Sequence, residues 1–220
     1  MILSYFVVQM SDIKKIYISK GSINLEAEFF QPQENNALAV LLTHPHPKMG
    51  GNMYNNVVSG IFHALKEKEI CCLRFNFLGV GKSKNKSSKK ITPISQVELA
   101  IDYLLENEDI DRFLICGYSY GAAVGCSTVN YSKKIVGYIA IAFPWDYMSE
   151  KYKKLSQSDK PKLFIQGDND SIAYFSKFKF HYEFYIEPKT YEIIEGADHF
   201  YRGYEDQLAE LVFTFYKRQK

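Results

Sequence analysis

The chain has 220 residues, a formal net charge of +2 and a hydrophobic fraction of 46%. This length and apolar content fit one domain, residues 1–220, with a sizeable core, and they argue against disorder. The small net charge gives no reason to expect a nucleic acid or an anionic membrane as a partner.

The apolar segment 1–8 lacks the basic region and the cleavage site of a signal peptide, and it is too short to span a bilayer. We expect it to lead into the first strand, with a signal peptide as the weaker alternative. Two strands are predicted next, at 13–19 and 23–30, joined by the hairpin signal Lys20-Gly21-Ser22.

Strands and helices alternate through the rest of the chain. Strands are predicted at 37–43, 70–77, 113–116, 135–143, 162–166 and 190–194, and helices at 54–69, 92–107, 120–131, 151–158, 172–180 and 204–217. This order predicts a mostly parallel sheet of about eight strands with helices on both faces. The segment 143–160, after the sixth strand, is too short to hold a sizeable lid.

The four cysteines show no C-x-x-C spacing, which gives no support to metal or redox chemistry. Cys71 and Cys72 are neighbours in one predicted strand, so they point to opposite faces and are poorly placed to share a disulfide. Buried free thiols at these positions, and at Cys116 and Cys126, suit a reducing cytoplasm, which is where we expect the protein.

The motif that organises the sequence is Gly-Tyr-Ser-Tyr-Gly at 117–121, which lies between a predicted strand and a predicted helix. A serine at the apex of such a turn, Ser119, is typical of a nucleophile elbow. Gly117 and Gly121 let the strand and helix approach a strained residue closely. The helix N-terminus also favours negative charge that develops at this point. The alternative is a chance match in a loop, which the flanking elements disfavour.

A serine hydroxyl needs a base to remove its proton and a carboxylate to orient that base. His199 lies in the loop after the last predicted strand, and Asp168 and Asp170 follow the penultimate strand, so all would meet Ser119 at the carboxyl edge of the sheet. Their spacing leaves either aspartate as the acid. Asp198 is expected to cap the last helix.

Two backbone N–H groups are expected to bind the oxyanion: that of Tyr120, after the nucleophile, and one from the loop after the third strand. Pro45 and Pro47 have no N–H, which leaves His46 as the second donor. The imidazoles of His44 and His46 are expected to shape this loop. A metal site is the weaker alternative, because no further ligand follows at a suitable spacing.

Two nucleotide-binding motifs are incomplete in this sequence, and the remaining lysines and histidines have structural interpretations. Residues 81–83 resemble the end of a phosphate-binding loop, but that motif needs glycine where Asn76 stands. The dinucleotide fingerprint fails at Lys84. The lysine-rich stretch 82–90 is expected to be a solvated loop, since no aromatic residues alternate with its lysines. His63 and His181, in or beside helices, are also expected to be structural.

Three blocks together resemble the α/β-hydrolase superfamily over nearly the whole chain, and more narrowly its small lidless hydrolases of bacteria. They are His-Pro-His-Pro at 44–47 with glycines at 50 and 51, Leu-Arg-Phe-Asn-Phe-Leu-Gly-Val-Gly-Lys-Ser at 73–83, and the motif at 117–121. Leu78 stands where such relatives commonly have arginine, and the lysine-rich stretch replaces an acidic, glycine-containing segment. The resemblance implies the α/β-hydrolase fold and ester or thioester hydrolysis. It also favours Asp170 as the acid, which in such enzymes usually ends a Gly-x-x-Asp turn.

We therefore expect a cofactor-free serine hydrolase, carboxylesterase-like or thioesterase-like, that cleaves small acyl substrates through an acyl-enzyme on Ser119, with His199 as base and Asp170 as its partner. The alternatives are a peptidase or lactonase on the same scaffold, and a non-catalytic binding protein that retains the fold. Candidate pocket residues, each of which ordinary packing would explain equally well, are Tyr54, Leu78, Tyr120, Trp145 and Phe200.

Overall fold

A computed structural model describes residues 13–33, 38–88, 90–106 and 109–220, so the predicted leader at 1–8 lies outside the described residues. The strands are β1 (Lys14–Lys20), β2 (Ile23–Phe30), β3 (Leu38–Thr43), β4 (Cys72–Phe75), β5 (Lys84–Asn85), β6 (Arg112–Tyr118), β7 (Ile135–Ile141), β8 (Lys162–Gly167) and β9 (Lys189–Ile194). The α-helices are α1 (Asn56–Glu67), α2 (Pro93–Leu105), α3 (Tyr120–Cys126), α4 (Glu150–Leu155), α5 (Phe178–Glu183) and α6 (Glu205–Gln219).

The strands form one sheet in the order β1-β2-β4-β3-β6-β7-β8-β9, and β5 pairs with β2 at its side. β1, β2 and β4 pair antiparallel, whereas β4, β3 and β6 to β9 run parallel. The predicted mostly parallel sheet with an N-terminal hairpin is confirmed. Because the parallel strands share one direction, the loops after β3, β6, β8 and β9 lie at the same edge of the sheet.

Apolar side chains fill both faces of this sheet. All six residues of β3 are buried, as expected for a strand covered on both sides. Its alternate residues divide between two cores, with Ala39 and Leu41 in one and Val40 and Leu42 in the other. The first core includes apolar residues of α2 and α3, and the second includes those of α1 and α6. Helices therefore cover both faces, as predicted.

The cysteines follow the same alternation. Cys71 belongs to the first core and Cys72 to the second, so the two thiols point to opposite faces of the sheet. These two, Cys116 and Cys126 are all buried and free.

Several element boundaries differ from those predicted. The lysine-rich stretch is not simply a solvated loop, because Lys84 and Asn85 form the short strand β5 against Ile23 and Asn24 of β2. The helix predicted at 120–131 ends at Cys126, and the one predicted at 172–180 is delayed. In that segment a 3-10 helix at Phe175–Lys177 precedes α5.

The carboxyl edge of the sheet carries little covering structure. Between β7 and β8, residues 142–161 contain only the six-residue helix α4, so no sizeable lid is inserted there, as predicted. Within the described ranges, no helix combines the length and the apolar character needed to cross a bilayer.

Candidate active site

Ser119 lies between β6 and α3 in a strained backbone conformation, with φ at 55°. A positive φ is uncommon for a residue with a side chain, and residues strained in this way cluster at functional sites. Its N–H donates to the Ile141 carbonyl oxygen over 2.8 Å, which ties the turn to the neighbouring strand β7. Ser119 is buried, but 8% of its surface is still accessible to solvent.

The two glycines of the motif allow this turn to form. A methyl group at Gly117 would overlap the Gly121 carbonyl oxygen, and one at Gly121 would overlap that of Thr43 at the end of β3. The Thr43 hydroxyl donates to the Gly121 carbonyl over 2.8 Å. Close contact among β3, β6 and α3 therefore explains both glycines.

Ser119, His199 and Asp170 form a continuous hydrogen-bonded chain. Ser119 Oγ lies 2.9 Å from His199 Nε2, and His199 Nδ1 lies 2.8 Å from Asp170 Oδ2. A carboxylate only accepts, so Nδ1 carries the hydrogen and Nε2 is left to accept from the serine hydroxyl. The arrangement can activate an oxygen nucleophile.

The second carboxylate oxygen of Asp170 is held by the backbone. Oδ1 accepts from the N–H groups of Ile172 and Ala173 over 2.8 and 2.7 Å. Burial alone would raise the pKa of Asp170, but the hydrogen bond and charge of His199, together with these two N–H donors, hold it below its usual value. The site therefore keeps this carboxylate charged.

Asp168 lies elsewhere. Its Oδ1 accepts from the Gly196 N–H over 2.7 Å, so it links the loop after β8 to the loop after β9. The structure thus brings Asp170, and not Asp168, to His199.

The loop that carries His199 is anchored at the histidine itself and two residues after it. The Tyr118 hydroxyl donates to the His199 carbonyl oxygen over 2.5 Å, and the Tyr201 hydroxyl accepts from the Gly167 N–H over 3.0 Å. The predicted cap role of Asp198 is wrong. The N-cap of α6 is Tyr204, six residues later, and Asp198 Oδ1 instead accepts from the Phe200 N–H over 2.9 Å.

His46 and Tyr120, the two predicted oxyanion donors, lie side by side, with ring centroids 4.7 Å apart. Tyr120 is the first residue of α3, where backbone N–H groups lack partners within the helix. His46 precedes the 3-10 helix Pro47–Met49, and its Nδ1 accepts from the Lys48 N–H over 3.1 Å. Its carbonyl oxygen accepts from the Gly51 N–H over 3.1 Å.

His44 is completely buried at the end of β3, and both of its ring nitrogens contact the backbone. Nε2 lies 3.0 Å from the Phe77 nitrogen, and Nδ1 lies 2.7 Å from the Pro45 carbonyl oxygen. Burial lowers the pKa of His44 to about 4, although the bond to Pro45 opposes this shift. Among the described residues, no group of three His, Cys, Asp or Glu side chains is placed to hold a metal ion.

The predicted pocket residues separate into two groups. Phe200, which is 51% exposed, lies beside the His199 ring at a centroid distance of 5.9 Å, and Tyr120 lies beside His46. Trp145 stacks on Phe143 and His181 in an aromatic cluster of the core.

The other two candidates have packing roles. The Tyr54 hydroxyl donates to Glu28 over 3.0 Å, and the Tyr54 ring lies 5.0 Å from the Arg74 guanidinium. Leu78 packs on the first core, and its N–H donates to Gln96 over 2.7 Å. No sequence pattern indicated a role for Tyr118, whose hydroxyl anchors the His199 loop. Nothing in the motif beyond its place next to Ser119 signals that contact.

Comparisons with known proteins agree with this geometry. Residues 36–209 match the model of a family described as an alpha/beta hydrolase domain. An uncharacterized protein of Rickettsia prowazekii is 30% identical over 205 residues, which cover 90% of this chain and 86% of the relative.

Solved structures show the same likeness. An alpha-beta serine hydrolase homologue from Coxiella burnetii is 29% identical, with a TM-score of 0.78 over 90% of this chain and 94% of the other. A putative alpha/beta hydrolase from Agrobacterium tumefaciens is 25% identical, with a TM-score of 0.83 over 94% and 96%. A serine hydrolase without a lid from Xanthomonas campestris, 22% identical with a TM-score of 0.81 over 94% of both chains, shares the fold.

Proposed function

The chain belongs to the alpha/beta hydrolase family, and from this premise we propose that it is a serine hydrolase that cleaves small acyl esters or thioesters. The observation that carries the proposal is the hydrogen-bonded chain from Ser119 through His199 to Asp170, built from three separate loops at one edge of the sheet. In this chain the serine has the position of a nucleophile, the histidine that of a general base and the aspartate that of an orienting acid.

In the first half of the reaction, Ser119 Oγ attacks the acyl carbon while His199 Nε2 takes the hydroxyl proton. The imidazolium that forms is stabilised by Asp170, which keeps its charge and its contact with Nδ1. His199 then gives the proton to the leaving alkoxide or thiolate, and the C–O or C–S bond to that group breaks. The product of this half is an ester between Ser119 and the acyl group.

In the second half, water attacks the acyl-enzyme and His199 accepts its proton. The proton returns to Ser119 Oγ as the acyl–serine bond breaks, and a carboxylic acid is released. In both halves the carbonyl oxygen becomes an oxyanion. We assign the N–H groups of His46 and Tyr120 to stabilise it; in other enzymes one such donor contributes roughly 10²- to 10³-fold in kcat.

Two features support a small acyl group. The segment between β7 and β8 contributes only the short helix α4, so little structure is available there to enclose a long chain. Phe200 lies exposed beside His199 and offers an apolar surface near the nucleophile. We therefore expect acetyl and butyryl esters to react faster than esters of long fatty acids.

Labelling with a fluorophosphonate probe tests the nucleophile. The native protein should be labelled and Ser119→Ala should not. Ser171→Ala, which removes an exposed serine next to Asp170, should be labelled like the native protein. A native protein that resists the probe, or equal labelling of native protein and Ser119→Ala, would contradict the serine hydrolase assignment.

A panel of nitrophenyl esters of increasing chain length, thioesters, lactones and peptides then separates the possible reactions. The proposal requires the highest kcat/KM on short esters or thioesters. A preference for peptides or lactones would assign a peptidase or a lactonase to the same residues. Labelling without turnover of any substrate would favour a binding protein that retains the fold.

A further inference from the structure

The hydrogen bonds of His44 fix the protonation of its ring. The Phe77 N–H can only donate, so Nε2 must present its lone pair, and the Pro45 carbonyl can only accept, so Nδ1 must carry the hydrogen. His44 is therefore neutral and has one tautomer. Its complete burial agrees with this, because burial disfavours the charged form of an imidazole.

The carbonyl that His44 holds belongs to the same peptide group as the His46 N–H. In a planar trans peptide the C=O and N–H bonds point in opposite directions. Among the described residues the cis bond is Glu187–Pro188, so the Pro45–His46 bond is trans. A side chain that fixes the direction of the Pro45 carbonyl therefore fixes the direction of the His46 N–H.

The order of the strands gives that direction. β3 lies between β4 and β6 in the sheet. The His44 ring is on the β4 side, 4.9 Å from the ring of Phe77, which follows β4. The Pro45 carbonyl is held toward that ring, so the His46 N–H points toward the β6 side, where α3 begins.

The surrounding loop fits tightly around this peptide group. A methyl group at Gly51 would overlap the Pro45 carbonyl oxygen, and the Gly51 N–H donates to the His46 carbonyl over 3.1 Å. His44 thus supplies a side-chain hydrogen bond to a peptide group that the backbone of Gly51 contacts from another direction.

We propose that His44 is a positioning residue of the oxyanion site, whose Nδ1–H holds the Pro45–His46 peptide so that the His46 N–H faces the substrate carbonyl. This inference rests on the proposed function, since it needs an oxyanion to be stabilised. His44 acts through the peptide and touches no reacting atom. Its loss should lower kcat with little change in KM, because the donor matters most when charge develops in the transition state.

Two matched substitutions separate this role from simple packing. In His44→Asn the amide nitrogen takes the place of Nδ1 and can still donate to Pro45. In His44→Gln the amide oxygen takes the place of Nε2, so it can accept from Phe77 while the bond to Pro45 is lost. Each variant keeps one of the two hydrogen bonds, so comparable losses of thermal stability are expected.

The kinetic effects should differ between them. We expect kcat on a short nitrophenyl ester to fall about 100-fold in His44→Gln and by less than about 10-fold in His44→Asn, with KM changed by less than about threefold in both. Equal losses of kcat, or a larger loss in His44→Asn, would overturn the positioning role. A native protein without hydrolysis would instead overturn the proposed function, and the positioning role with it.

A second measurement on the native protein does not depend on turnover. Nitrogen-15 NMR of the His44 ring at pH 7 should show a protonated Nδ1 and an unprotonated Nε2. The opposite tautomer, or a doubly protonated ring, would overturn the inference even in an active enzyme, because Nδ1 would then not hold the Pro45 carbonyl in the way described.

Discussion

Ser119 is held in a conformation that costs a non-glycine residue on the order of 1–3 kcal/mol. Its own N–H is bonded to Ile141 and its hydroxyl to His199, so the turn is fixed from both the backbone and the side chain. Strain of this kind persists only where the surroundings determine it, and at Ser119 those surroundings include His199, its proposed partner in the reaction.

At this scale the first prediction concerns the two aspartates. Asp170→Asn should lower kcat by about 10³-fold or more, because the amide cannot stabilise an imidazolium and allows the wrong histidine tautomer. Asp168→Asn is the matched control, since its partner is the Gly196 N–H, and it should keep kcat within about threefold. Steady-state kinetics on a short ester provides the measurement, and a larger loss in the control would contradict the assignment.

The second prediction concerns Tyr118. Tyr118→Phe removes the hydroxyl that donates to the His199 carbonyl, at a cost of about 1 kcal/mol, and should reduce kcat by about 5- to 10-fold through a less well placed base. Tyr131→Phe removes a hydroxyl bonded to Asp102 at an exposed position and should leave kcat unchanged. A Tyr118→Phe enzyme with native kcat would show that the loop holds His199 without this bond.

The choice between Asp168 and Asp170 shows where residue-level prediction stops. The aspartates are two positions apart in the same loop, so order and spacing admit both, and the resemblance to α/β-hydrolases made the choice. The structure separates them through the N–H groups of Ile172 and Ala173, which turn Asp170 inward, and that of Gly196, which holds Asp168. Such side-chain contacts depend on neighbouring loops that a motif does not describe.

At the scale of elements, the site depends on how closely α3 approaches β3. Gly121→Ala should cost about 1–3 kcal/mol of unfolding free energy, because its methyl group would overlap the backbone carbonyl of Thr43. Gly60→Ala in α1 is the control: its methyl group would lie 3.1 Å from Glu205 Cβ, against 2.2 Å from the Thr43 carbonyl oxygen at Gly121, and alanine favours helix. Denaturant unfolding measures both, and equal stability of the two variants would contradict the close-packing argument.

Elements with strong local patterns were predictable, and those made by distant contacts were not. β2 was predicted with its observed bounds because its residues alternate and a hairpin signal precedes it. β5 has only two residues and exists because β2 offers it a partner. The helix predicted at 172–180 starts late because Asp170 Oδ1 captures the N–H groups of Ile172 and Ala173 in a turn.

At the scale of the whole molecule, the alternation of strands and helices was enough to predict a mostly parallel sheet. The burial of the Trp145 side chain could not be predicted from the sequence. An aromatic residue after a strand suits a pocket wall and a core equally well. Its burial here comes from residues of other elements, among them Phe164 and Phe178.

The burial of His44 also makes the free energy of unfolding depend on pH. In the folded chain the pKa of His44 is lowered from the usual 6.5 to about 4, so between these values the unfolded chain binds a proton that the folded chain does not. Stability must therefore fall as the pH drops through this window, by on the order of 3 kcal/mol in total for this group. His63 and His181, whose pKa values burial also lowers, add to the same trend.

This dependence of stability on pH can be measured by denaturant unfolding at several pH values between 6.5 and 4. The free energy of unfolding of the native protein should decline steeply over this interval, and His44→Gln should decline less, because glutamine takes up no proton in either state. Both proteins should share the residual slope from His63 and His181. Parallel curves would mean that His44 is already charged in the folded protein or that acid opens its pocket. Either result would contradict the neutral His44 imidazole that is proposed to hold the Pro45–His46 peptide.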